Sequence, residues 1–240
     1  MKKIMITIIT ILLVVLLGGS GTMIVKDKVQ DKKEEQQYEK MKKEYVNKNK
    51  KKNKIKGASD FDIEKMKKKN KDVVGWIECG NVLSYPLVKG TNNDYYLNHN
   101  ALRQSNISGS IFLDYRTDFA SPNCIIYGHN MKGRQMFGKL LNFTDMSFAK
   151  KHDIFYIDDG TMKHQYKLVS VNLVSDTSRN YKISFNENDD EYDKWYRDIL
   201  STKYYHNDSG KLNSENVITL STCYSNDASV KLVLHLARQW

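Results

Sequence analysis

Apolar and polar positions divide the chain into three stretches. Residues 4–25 are almost wholly apolar, residues 26–56 consist mainly of Lys, Glu, Gln and Asn, and short apolar runs separated by polar clusters follow from residue 57. This pattern predicts an N-terminal transmembrane anchor over residues 1–25 and a charged stalk over residues 26–56, extended or as a frayed helix. It predicts one folded domain over residues 57–240.

The first stretch is long enough to cross a membrane. Its 22 residues, at about 1.5 Å per residue, span the roughly 30 Å hydrocarbon core of a bilayer. Lys2 and Lys3 precede it, so we expect a single-pass cell-membrane protein with a cytoplasmic N-terminus and an extracellular stalk and domain. A cleaved signal peptide is the alternative, because residues 18–21 are small. The apolar run continues through residues 23–25, which favours an uncleaved anchor.

Short strand-like runs dominate the rest of the chain. Gly, Asn, Asp and Ser clusters separate them, and the pattern predicts strands over 74–79, 82–88, 110–114, 123–128, 153–157, 164–175, 217–222 and 230–236. Many short strands with few helices indicate a mainly β fold, a barrel or a sandwich.

Helical periodicity occurs at four places. A short helix capped by Ser59 or Asp60 is predicted to end near Asn70. The strongest helical pattern lies over 188–202. There, apolar and aromatic side chains recur at the i, i+3, i+4, i+7 and i+8 spacing, namely Tyr192, Trp195, Tyr196, Ile199 and Leu200. Shorter helices are predicted over 134–142 and near 145–151.

The net charge of +10 is concentrated near the N-terminus. Residues 1–71 contain 20 Lys and 9 acidic residues, a net charge of +11, whereas residues 72–240 have a net charge of −1. Because the folded part is almost neutral, a nucleic-acid partner is not expected. The three cysteines, Cys79, Cys124 and Cys223, match no zinc spacing, and we predict no metal site. Cys79 and Cys124 lie in apolar runs typical of buried thiols, and a disulfide between them is the alternative.

Candidate chemistry lies where two strand-like runs end. Cys223 closes the run Thr219–Cys223, and His129 follows the apolar run that ends at Tyr127. A thiol becomes a nucleophile at neutral pH when a nearby cation or hydrogen-bond donor favours its thiolate, so the pair suggests a cysteine acyl-transfer enzyme. Lys231 begins the last predicted strand, eight residues after Cys223, and a hairpin of that length returns it to the thiol. An ordinary surface lysine is the alternative.

From about residue 60 to its end, the chain resembles the class B sortases, the Gram-positive enzymes that attach proteins to the cell wall. Two motifs carry most of the resemblance, Tyr127–Met131 and Thr219–Cys223. Supporting runs are Gly75–Ile77, Tyr85–Val88, Tyr95–Leu97 and Ser108–Arg116. The family implies an eight-stranded sortase barrel with N-terminal helices and one long helix between late strands, which the helix over 188–202 would match.

The resemblance implies a cysteine transpeptidase. Cys223 would be the nucleophile and His129 the general acid or base, while Lys231 occupies the position of the family arginine. Ser221 and Thr222 are expected to orient the substrate or the cysteine loop, with ordinary strand-end hydrogen bonding as the alternative, and Asn130 is expected to contact the substrate. The implied substrates are a surface protein with a C-terminal Asn-Pro-x-Thr-(Asn/Gly) signal, cleaved after Thr, and a peptidoglycan amine. No cofactor is expected. Lysine keeps the positive charge but lacks the planar fork of arginine. Arg238 is a poor substitute, because an offset of seven places it on the other strand face.

Three other functions remain open from the sequence. A pilin-polymerising sortase would use a lysine of another pilin as acceptor. A cell-wall peptidase with a Cys–His site would hydrolyse muropeptides without a sorting signal. A decayed sortase, weakened at Lys231, would bind a sorting peptide as a non-enzymatic surface module.

Overall fold

A computed structural model describes residues 29, 32–46, 57–186, 190–201, 204–206, 213–225 and 229–239. The chain divides into two compact units, Met1–Lys40 and Met41–Trp240. In the first, residues 29 and 32–40 are helical. The predicted anchor lies outside the described residues, and no helix among those described is long and apolar enough to cross a membrane. The three predicted ranges, 1–25, 26–56 and 57–240, remain predictions.

Among its described residues the second unit has nine strands and three α-helices, besides the helical residues 41–45. The helices are α1 (Ile63–Lys67), α2 (Met146–Lys151) and α3 (Glu191–Leu200). The strands are β1 (Val73–Cys79), β2 (Leu83–Val88), β3 (Ile111–Leu113), β4 (Asn123–Tyr127), β5 (Ile154–Asp158), β6 (Lys163–Ser175), β7 (Tyr205–His206), β8 (Asn213–Cys223) and β9 (Val230–Arg238).

Eight of the strands close into a barrel, as predicted. Their order is β5-β1-β2-β3-β4-β8-β9-β6, and pairing between β5 and β6 completes the ring. The β2–β3 and β4–β8 pairs are parallel, and the other neighbours are antiparallel. The two-residue strand β7, which no sequence pattern predicts, pairs with β6 outside the ring.

The two faces of β8 and β9 are buried in different ways. Leucine-rich positions pair across one face, as with Leu220 and Leu234. On the other face α3 packs, since Trp195 clusters with Val217 and its ring lies 6.3 Å from that of His235. The interior of an eight-stranded barrel is filled by side chains. The face beneath α3 is therefore the outer one, and the leucine face lies inside.

The helix predicted over 134–142 begins four residues later than expected and is a 3-10 helix rather than an α-helix. Turns precede a 3-10 helix, Gly138–Thr144, and Arg134 and Met136 adopt positive φ angles of 65° and 50°. Two left-handed residues interrupt an α-helix. The adjacent Phe137 is fully buried and fills the space beside Gly128, where an added Cβ would lie 2.8 Å from the ring. Burial of this side chain takes precedence over the helical pattern.

Part of the segment predicted as a stalk packs within the second unit. Met41 and Tyr45 are buried, and Val46 forms an isolated bridge with Phe61. Phe61 in turn packs against Trp76 of β1, with ring centroids 5.6 Å apart.

Candidate active site

Cys223 and Lys231 face each other across the β8–β9 hairpin. Cys223 is the last residue of β8, and Lys231 is its register partner near the start of β9. The ammonium Nζ lies 3.4 Å from the Sγ of Cys223 and donates a hydrogen bond to it. The hairpin closes just beyond this pair, where the amide of Tyr224 donates to the carbonyl of Val230. The geometry therefore puts a positive charge against the thiol.

His129 reaches the same end of the barrel through the parallel pairing of β4 and β8. Tyr127 is the register partner of Ser221, and the amide of Gly128 donates to the carbonyl of Ser221 at 3.2 Å. Parallel strands advance together along the chain. His129 is two residues beyond Tyr127 and Cys223 is two beyond Ser221, so both lie at the same level at the ends of neighbouring strands.

The imidazole of His129 is held by the backbone. Its Nε2 lies 2.8 Å from the carbonyl oxygen of Leu97, which ends the 3-10 helix Tyr95–Leu97. The side chain that hydrogen-bonds the thiol in the described part of the chain is Lys231 rather than His129. Sequence reasoning missed the Leu97 contact, because the acceptor is a backbone atom.

The other three residues predicted near the substrate differ in their placement. Ser221 shares the outer face with Cys223, and its hydroxyl lies 2.7 Å from the Oη of Tyr181. Thr222 pairs with Leu232 on the inner face, opposite to the face of Cys223, so the expectation that its side chain meets substrate does not fit its position. Asn130 is half-buried and bridges to Met136. Tyr181 was not predicted, since its loop carries no periodic signal.

A buried carboxylate braces the strand that leads to His129. Asp114 is fully buried and accepts hydrogen bonds from Arg116, Asn93 and the Oη of Tyr127, at 2.7–3.1 Å. Burial alone would raise the pKa of Asp114, but the hydrogen bonds from Arg116, Asn93 and Tyr127 lower it to about 2. Asp114 is therefore ionised at neutral pH and fixes Tyr127 two residues before His129.

The remaining cysteines are chemically distinct from Cys223. All three are free, and Cys79 and Cys124 are buried whereas Cys223 is half-buried. Burial raises the pKa of Cys79 and of Cys124 to about 12, so both thiols stay protonated. The thiol placed to act as a nucleophile is therefore Cys223.

Arg238 lies away from this site. It pairs with Tyr166 near the other end of β9, and its guanidinium lies 2.8 Å from the Nδ1 of His164. Lys231 is therefore the cation at the thiol. In the described ranges, no three His, Cys, Asp or Glu side chains converge on a possible metal position.

A closed eight-stranded barrel with a thiol, a cation and an imidazole at one end defines a class of protein. The family model of the sortase domain matches residues 76–238, which include the barrel strands almost completely. The chain belongs to the sortase family, in its class B, and is a cysteine transpeptidase.

Two relatives support this placement in sequence. The chain is 33% identical over 221 residues to sortase B of Staphylococcus aureus (strain NCTC 8325 / PS 47), covering 90% of this chain and 88% of that protein. It is 31% identical over 172 residues to sortase B of Listeria monocytogenes serovar 1/2a, covering 70% of each chain.

Solved structures show the same similarity. The sortase B of B. anthracis in complex with AAEK1 superposes with a TM-score of 0.74 at 26% identity, over 88% of this chain and 98% of that one. A sortase B–substrate complex from Staphylococcus aureus gives a TM-score of 0.71 at 28% identity, over 88% and 97% of the two chains.

Proposed function

We propose that this protein cleaves a C-terminal sorting signal of the Asn-Pro-x-Thr-(Asn/Gly) kind after its threonine and joins the released carbonyl to a peptidoglycan amine. The observation that carries the proposal is the 3.4 Å contact between Lys231 and Cys223, with His129 at the end of the adjacent parallel strand. A thiol, a cation and an imidazole are the groups that acyl transfer through a thioester requires.

The first half-reaction forms the acyl-enzyme. The Cys223 thiolate attacks the threonine carbonyl carbon, and the electron pair of the C=O bond moves to the oxygen. Lys231 and backbone N–H groups beside Cys223 donate hydrogen bonds to this oxyanion. Collapse of the tetrahedral intermediate breaks the C–N bond, and protonated His129 gives its proton to the leaving amine. A thioester with Cys223 remains.

The second half-reaction transfers the acyl group. The acceptor amine attacks the thioester carbonyl, and His129 accepts a proton from the attacking nitrogen. The C–S bond breaks, and the sulfur leaves as a thiolate beside Lys231. The thioester conserves the energy of the cleaved peptide bond, so this exchange of one amide for another requires no cofactor.

Ser221 and Asn130 remain in this proposal as substrate contacts. Ser221 shares the outer face with Cys223, and the Tyr181 hydroxyl that bonds it forms the adjoining surface. We place the protein in the cell membrane through residues 4–25, with the N-terminus in the cytoplasm and the catalytic unit outside. Surface proteins and peptidoglycan amines meet in that compartment.

A peptide panel tests the proposal. The full chain is mixed with quenched peptides of the Asn-Pro-x-Thr-(Asn/Gly) type, with and without added amine, and products are weighed by mass spectrometry. We expect cleavage after Thr, an acyl adduct on Cys223, and an amide product when the amine is present. Cys223→Ala should abolish all three, and Cys79→Ala should abolish none. Binding without cleavage would favour the decayed module, and preference for a pilin lysine would favour the pilin-polymerising enzyme.

A further inference from the structure

We infer that the backbone carbonyl of Leu97 is a positioning group for His129 that fixes which ring nitrogen handles the proton. A carbonyl oxygen accepts hydrogen bonds and has no proton to donate. At 2.8 Å from this oxygen, Nε2 of His129 must carry the proton. The neutral ring then has its lone pair on Nδ1, which makes no hydrogen bond within the described part of the chain. Nδ1 is thus the atom that exchanges a proton with substrate.

The carbonyl serves both protonation states of the ring. When His129 is neutral, its Nε2–H donates to Leu97 and keeps the tautomer and ring orientation fixed. When the ring is protonated, the same bond becomes charge-assisted and stronger, and Nδ1–H is the proton given to the leaving amine. The Leu97 oxygen therefore has the role that a carboxylate or amide has in other Cys–His sites. This inference rests on the proposed function for the identity of the reaction.

The position of the Leu97 carbonyl is fixed from beneath by Tyr96. The Tyr96 side chain is fully buried, its hydroxyl donates to Asp72 at 2.6 Å, and Asn70 donates to it at 2.9 Å. The amide of Ser110 donates to the carbonyl of Tyr96. The side chain of Leu97 itself is 41% exposed, so these contacts hold the backbone of the turn rather than its leucine.

Gly109 sets how closely the neighbouring segment approaches this carbonyl. Its φ is +58°, and an added Cβ would lie 2.6 Å from the oxygen of Leu97 and 2.5 Å from that of Tyr96. Real Cβ atoms essentially never approach so closely. A methyl group there collides with both carbonyl oxygens, and we expect the turn that carries the Leu97 carbonyl, and with it the ring of His129, to shift.

Gly80 supplies a matched control. Its φ is +48°, and an added Cβ meets nothing within 4 Å. Gly80→Ala and Gly109→Ala therefore introduce the same left-handed strain, and the second adds the collision with Leu97. A difference between the variants reports the carbonyl position rather than the strain.

The test reads the ring of His129 directly. The full chain, labelled with 15N-histidine, is studied by two-bond 15N–1H NMR, and His129→Gln assigns the signals. For neutral His129 we expect an Nε2–H tautomer with a slowly exchanging ring proton, unchanged in Gly80→Ala and lost in Gly109→Ala. A ring with its proton on Nδ1 in the unaltered chain would overturn the inference. So would Gly109→Ala and Gly80→Ala with identical ring signals.

Kinetics supply the second readout. With a cleaved sorting peptide, Gly109→Ala should lower kcat about 100-fold, as for a catalytic group displaced by about 1 Å, with KM unchanged. Gly80→Ala should retain the original kcat. If Gly109→Ala does not fold, Tyr96→Phe loosens the same turn and should broaden the His129 ring signal. If no peptide is cleaved yet the ring signals are as expected, the proposed function fails and the assignment of the ring proton stands.

Discussion

Replacing Lys231 with methionine tests whether the ammonium activates the sulfur of Cys223 as a nucleophile. Methionine has a similar length but no charge, so Lys231→Met removes the contact of 3.4 Å while filling much of the same space. At that distance two unit charges attract by about 5 kcal/mol at an effective dielectric constant of about 20. Both residues are half-buried, and a hydrogen bond to a charged group contributes about 1.5–3 kcal/mol once the loss of water contacts is included. We therefore expect the Lys231–Cys223 contact to contribute about 2 kcal/mol.

Alkylation measures this effect without a substrate. A loss of about 2 kcal/mol from the stabilisation of the reacting sulfur corresponds to about a 30-fold slower reaction of Cys223 with iodoacetamide at pH 7. The rate is followed by intact mass. Lys231→Arg retains the charge and should react within a few-fold of the original rate. As a control, Lys167→Met removes a lysine of β6 that forms an ion pair with Asp153, and it should leave the rate at Cys223 unchanged. If Lys231→Met reacts at the original rate, the ammonium does not activate the sulfur of Cys223.

Three further predictions follow from buried groups. Asp114→Asn should lower the free energy of unfolding by about 2 kcal/mol at pH 7, because the pKa of Asp114 is held at about 2 against an ordinary 3.8. Chemical denaturation measures this loss, which should disappear below about pH 2, where the Asp114 carboxyl is neutral in both the folded and the unfolded protein. Burial lowers the pKa of His235 from 6.5 to about 3, so the contribution of the neutral imidazole to stability is complete above pH 6.5 and is lost as the pH falls towards 3. His235→Leu should therefore flatten the dependence of the free energy of unfolding on pH between 3 and 6.5. An unchanged slope would show that His235 is not held neutral by burial. Burial raises the pKa of Cys79 and Cys124 to about 12, so alkylation followed by intact mass should add one alkyl group to the native protein and three to the denatured protein. Two adducts on the native protein would show that a buried thiol is accessible.

The barrel and the Cys223–Lys231 pair were predictable because both follow from local patterns. Alternation and turn residues located the eight barrel strands, and a hairpin of eight residues is short enough to fix its own register. The same alternation places Thr222 on the face opposite Cys223, since adjacent strand residues point in opposite directions. The substrate role predicted for Thr222 therefore does not fit its place on the inner face.

The position of His129 depends on information that no local pattern contains. It lies 94 residues before Cys223, and the two reach the same end of the barrel because β4 and β8 pair in parallel. A parallel neighbour is chosen by the closure of the whole barrel. The contact of His129 with the Leu97 carbonyl is even harder to predict from sequence. Every residue has a carbonyl, and no side chain indicates which one accepts the hydrogen bond from His129. The sequence does mark its surroundings through Tyr96 and Gly109, but only the three-dimensional contacts explain why these residues are needed.

The exchange of arginine for lysine fits a site in which one charge must act at two atoms in turn. In the proposed reaction the negative charge lies first on the sulfur of Cys223, then on the carbonyl oxygen of the substrate, and returns to sulfur when the acyl group leaves. A guanidinium presents its donors in a rigid plane suited to two acceptors at once, whereas an ammonium carries three donors that rotate about one point. Lys231 lies directly opposite Cys223 in register, so its Nζ can turn a donor from sulfur to the neighbouring oxyanion without movement of β9. Lysine therefore sacrifices bidentate geometry but keeps the charge within reach of both atoms, and this is why we assign it a catalytic role rather than regard the site as decayed.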